Sequence, residues 1–69
     1  MHKYEIIIYW SKENNAFIAE VPELTNLMAH GETANKALEN AQTAIDLWIQ
    51  VAKQEGIVIP EPKGKLIFA

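Results

Sequence analysis

This 69-residue sequence predicts an α+β fold: a small three- to four-stranded antiparallel-type sheet with one long helix packed on one face, in the order β-β-β-α-β. Three observations carry that prediction. Two apolar stretches near the N-terminus alternate with a period of two on either side of a polar turn. From Thr33 the apolar period changes to 3.6 and holds for about six turns. A proline-marked extended stretch then leads into a last short apolar run.

The first strand is Lys3 to Trp10, K-Y-E-I-I-I-Y-W, rich in β-branched and aromatic residues. Tyr4, Ile6, Ile8 and Trp10 share one face and Glu5, Ile7 and Tyr9 the other, a pattern expected of a largely buried strand. Residues 11–15 are polar and end in two asparagines, which tolerate left-handed backbone geometry, so they form a hairpin connection. Ala16 to Val21 alternates again and is closed by Pro22. Leu27 to Gly31 has a weaker pattern and is read as the third strand.

The helix starts after Thr33, whose hydroxyl suits the N-cap, and stops at Gly56, the natural left-handed C-cap. Its expected inner stripe is Ala34, Ala37, Leu38, Ala41, Ala44, Ile45, Trp48 and Ala52, with the alanines allowing close approach to the sheet. Pro60 and Pro62 then stiffen a connector, and Lys65 to Phe68 is expected to form the last strand, beside the hairpin or on another subunit. No repeat or flexible linker interrupts this order, so residues 1–69 are read as a single domain.

Composition narrows the function. The net charge is −3 and all six basic residues are lysines, so the residue most used for bidentate phosphate and guanine contacts is absent and direct nucleic-acid binding is not expected. There are no cysteines, which excludes disulfides, thiolate catalysis and cysteine-held metals. The longest apolar runs are far short of the roughly 20 residues that span a bilayer, and no secretory leader is visible; a cytoplasmic protein is the expectation. A core this small barely offsets the entropy of ordering the chain, so a homo-oligomer, dimer or tetramer, is expected.

Catalytic chemistry has little to work with. Ser11 sits in a polar turn without the glycines of a nucleophile elbow. His30 and Glu32, with His2 as a third candidate, have no recognised metal-ligand spacing. No cofactor is implied, and the protein is expected not to be an enzyme. The aromatic residues Tyr4, Trp10 and Phe17 read as core, whereas Tyr9, on the opposite face from Trp10, reads as an exposed interface anchor. Acids near turns and strand ends, Glu13, Glu20, Glu23 and Glu32, are expected to leave one end of the sheet negative and suited to steering a basic protein partner, with Tyr9 and His30 as further contacts.

The order Y-E-I-I-I-Y-W, A-F-I-A-E-V-P-E-L, H-G-E-T, A-L-E-N-A, A-I-D-L-W and I-P-E-P, from about Tyr4 to Pro62, resembles the small-domain HicB-type antitoxins. That resemblance implies a fold like a truncated RNase H core and a role in binding and neutralising a small basic RNA-cleaving toxin of the HicA type. It does not imply nuclease activity, since a two-metal carboxylate cluster is not evident in the sequence. Thr25-Asn26-Leu27-Met28 departs from the Pro-Gly-Cys the family often carries after the Leu24 position, and Lys36 replaces the usual acid of the first helical turn. Many such antitoxins continue into a DNA-binding domain; the sequence to Ala69 shows none, so operator binding is not expected of it. The alternative is an orphan homo-oligomer of the same fold, with a structural or small-ligand-binding role and no toxin.

Overall fold

A computed structural model describes residues 3–24 and 27–62. Within them, strands β1 (Ile7–Ser11), β2 (Ala16–Val21) and β3 (Leu27–Gly31) form an antiparallel sheet of order β1-β2-β3, followed by helix α1 (Ala34–Glu55). The α+β class and the order β-β-β-α are as the sequence predicts. The expected last strand, Lys65 to Phe68, lies outside the described residues.

Turns and caps follow from local chemistry. In the β1–β2 turn Asn15 adopts the left-handed conformation, with φ of 50°, and the Ser11 hydroxyl accepts from the Asn14 backbone amide at 3.3 Å and from its side-chain amide at 3.2 Å. Ser11 thus serves the turn. At the helix start the Thr33 hydroxyl accepts from the Lys36 amide at 3.0 Å. At its end Gly56, with φ of 70°, and Ile57 both direct their amides to the Ala52 carbonyl.

The first strand is shorter at its start than the sequence predicts. Continuing the β1–β2 register would set Glu5 opposite Pro22, which has no amide hydrogen to give. The Glu5 amide instead donates to Glu23 Oε1 at 3.0 Å, and the ladder begins at Ile7.

Register assigns the two faces. Facing α1 are the cross-strand rows Ile8–Ala19–Ala29 and Trp10–Phe17–Gly31; facing away are Ile7–Glu20–Met28 and Tyr9–Ile18–His30. Two packed clusters sit under the helix. Ala19, Ala37 and Ala41 make a thin one near the helix start, with Ile6, Ile8, Phe17 and Ala29 around it. Tyr4, Val21, Leu24 and Ile45 make a thicker one, with Leu27, Trp48 and Ile49 against it.

Gly31 marks the tightest approach. A Cβ there would lie 2.5 Å from the Ala37 amide nitrogen and 2.8 Å from the Lys36 carbonyl carbon, so only glycine lets the end of β3 meet the first turn of α1. The helix therefore bears on β2 and β3, where Ala19, Ala29 and Gly31 are small.

This lean corrects the reading of β1 as largely buried and of Trp10 as core. Tyr4 is buried, but Trp10 is 48% exposed, covered on one side by the edge of the Phe17 ring at a centroid distance of 5.1 Å. Of the expected helical stripe, Ala37, Ala41, Ile45 and Ala52 are buried, whereas Ala34 is exposed.

Candidate functional site

The face of the sheet turned away from α1 gathers several exposed apolar side chains among the described residues. Alternation places Ile7 and Tyr9 of β1, Ile18 and Glu20 of β2, and Met28 and His30 of β3 on it. Ile18, in the middle of its row, is buried by its neighbours. Ile7, Tyr9 and Met28 are 41%, 39% and 53% exposed, an apolar patch that no helix of the described residues covers.

Glu20 stands within that patch, between Ile7 and Met28. Tyr9, diagonally across on β1, hydrogen-bonds to it, and that bond is the main cause holding the Tyr9 phenol above its usual pKa. A phenol that donates to a carboxylate both fixes the carboxylate and keeps its own proton. No lysine lies on these strand positions; Lys3, Lys12, Lys36 and Lys53 belong to other segments.

A second feature is a shallow cleft of about 630 Å³ between the end of β3 and the start of α1, lined by His30, Gly31, Glu32, Thr33, Lys36 and Asn40 among others. Asn40 closes one wall, its side-chain amide donating to the His30 carbonyl at 2.7 Å. The Thr33 hydroxyl is committed to the helix cap. One imidazole, one carboxylate and one ammonium line the opening without a nucleophile held against a base.

Of the six residues selected from the sequence, Tyr9, Glu20 and His30 meet on the open face. Glu13, in the β1–β2 turn, and Glu32, just after β3, lie at the same end of the sheet, because Ser11 pairs with Ala16 and Phe17 with Gly31 there. Glu23 is at the opposite end. It receives the Glu5 amide, and its charge adds to burial in raising the pKa of Tyr4, with Glu61 contributing less. The Tyr4 hydroxyl donates to the Pro60 carbonyl, tying the segment after the helix to the segment before β1. Ile7 and Met28, absent from the sequence selection, complete the open face. Ile7 was legible through its shared parity with Tyr9; Met28 lay in the strand with the weakest pattern.

Among the described residues no three His, Cys, Asp or Glu side chains come together as a metal site. Among them, too, no helix is long and apolar enough to cross a membrane.

A family model described as UPF0150-like matches residues 3–60. A UPF0150 protein of Synechocystis sp. is 33% identical over 63 residues, covering 91% of this chain and 85% of its own length. No solved structure matches significantly.

Proposed function

From the premise that the chain belongs to the UPF0150-like family, we propose that it acts as a HicB-like antitoxin-type protein, binding and neutralising a small basic HicA-type RNA-cleaving toxin by direct protein–protein contact. In this reading the protein is not an enzyme: it works by occupying its partner, in the cytoplasm, without a cofactor. The ordered segments from Tyr4 to Pro62 that resemble HicB-type antitoxins supply the family argument. The observation that carries the reading is the gathering of Tyr9, Glu13, Glu20, His30 and Glu32 along one face and one end of the sheet, in an arginine-free chain of net charge −3. Such a surface speeds encounter with a basic protein and disfavours an acidic one.

The test is co-expression with any short basic protein found in a reading frame adjacent to that of this chain, followed by affinity purification and a growth-rescue assay. A stable complex that relieves toxicity is the expected result; absence of any complex at low salt would overturn the reading.

One observation favours the second reading, an orphan homo-oligomer. Leu47 and Val51, four residues apart on α1, are 60% and 43% exposed, which is costly for a lone monomer and useful in a helix-mediated contact between copies. Sedimentation of the chain without a partner, before and after Leu47→Glu, measures that contribution.

A further inference from the structure

We infer that the helix-free face of the sheet is the docking surface itself, and that it takes a cationic element of the basic partner, one that presents a lysine or arginine between aliphatic or aromatic side chains; this rests on the antitoxin-type reading and assigns it a footprint. Three features define the occupant. The first is shape and polarity. Ile7, Tyr9 and Met28 surround a filled centre at Ile18, a flat apolar platform that receives side chains rather than a small molecule.

The second is the placed charge. Glu20 has an aliphatic neighbour across each strand boundary and Tyr9 diagonal to it, so its carboxylate stands where it can accept from an ammonium or guanidinium while the flanking apolar contacts exclude water. The third is that, among the described residues, the strand positions of this face carry no lysine, His30 being their one basic side chain. A second copy of this chain fits less well, because it brings its own Glu20 and its own net charge of −3 to the same place. Glu13 and Glu32, at the end of the sheet, then serve encounter, and Glu23, bonded to the Glu5 amide, lies outside the footprint.

The experiment uses the full chain and, as probe, a short basic protein expressed from a reading frame adjacent to its own, with affinity read by calorimetry at low and physiological salt. Folding of each variant is checked by its thermal melt. Glu20→Lys and Met28→Glu are expected to weaken binding by roughly thirtyfold or more, and Glu20→Gln by roughly fivefold with a shallower salt dependence. Glu39→Lys and Glu55→Lys, on exposed helix positions, give the same charge change and should stay within about threefold.

If the wild type binds and the sheet-face variants match the helix controls, the inference is overturned while the antitoxin reading stands. If the wild type does not bind, the reading falls and the footprint with it. If Met28→Glu instead converts an oligomer into a monomer in sedimentation without changing affinity for the probe, the face belongs to a second copy and the inference is again overturned.

Discussion

The two faces of one three-stranded sheet have been put to opposite uses. On the covered face small residues run toward β3, from Ile8 to Ala19 to Ala29 and from Trp10 to Phe17 to Gly31. That gradient lets α1 settle low over β3 while Ile8 and Trp10 stand at its flank. On the open face the large residues are spread evenly, with Ile7, Tyr9 and Met28 around Ile18. A strand alternating apolar side chains on both faces tells where two surfaces are, but residue size across the strands tells which one a helix can reach.

The sharpest way to break this comparison is to truncate one side chain on each face. Ile45→Ala removes a fully buried side chain of the thicker cluster and should cost about 3–4 kcal/mol, enough to unfold much of so small a domain. Met28→Ala removes a similar volume from the open face and should cost less than about 0.5 kcal/mol. Urea unfolding of the two variants measures the difference; comparable losses would mean that the open face is covered in the isolated protein.

Gly31→Ala adds an atom where the covered face has no room. With backbone atoms of Lys36 and Ala37 inside normal contact distance, the helix start must move, at a cost of about 2–3 kcal/mol. Loss of helix signal from the first turns, read by hydrogen exchange, locates the damage; unchanged stability would show that the helix does not bear on β3.

Much of this architecture was legible from single residues. Thr33 and Gly56 bounded the helix because caps are local chemistry, and Pro22 bounded β2 because a missing donor is local too. The lean of the helix was not legible: Gly31 reads as a lone glycine until α1 is set against it, and Trp10 reads as core until the helix is seen to favour the other edge. Parity places Tyr9 on the face opposite Trp10, yet both side chains are exposed, so parity alone does not separate anchor from core. The bond of Tyr9 to Glu20, like that of Glu23 to the Glu5 amide, depends on register between strands, which alternation alone leaves open.

The two tyrosines, Tyr4 in the covered core and Tyr9 on the open face, sharpen the comparison further because both hold their protons too tightly, for different reasons. Burial is the largest cause at Tyr4, reinforced by the charges of Glu23 and then Glu61. The native state therefore keeps this proton to a higher pH than the unfolded chain does, so the associated stability is complete below about pH 10 and declines as pH rises from there through the raised native value. Tyr4→Phe should reduce that alkaline slope in pH-dependent unfolding, and cost about 1 kcal/mol at neutral pH through loss of its bond to the Pro60 carbonyl. A slope identical to that of the wild type would place the alkaline sensitivity elsewhere.

Tyr9 offers the smallest effect and the most local one. Its raised pKa comes first from the hydrogen bond to Glu20, on a surface that water reaches, so the bond leaves a spectroscopic trace rather than a stability one. In a Tyr4→Phe background Tyr9 is the only tyrosine left to titrate, since the chain has two. Glu20→Ala in that background should bring the phenol transition back down toward about pH 10, followed by ultraviolet difference titration, with almost no change in melting temperature. An unmoved transition would mean that Tyr9 and Glu20 do not hold each other in solution. The open face would then be an apolar patch without a fixed charge, and its preference for a cationic partner would lose its physical basis even if the fold around it stood unchanged.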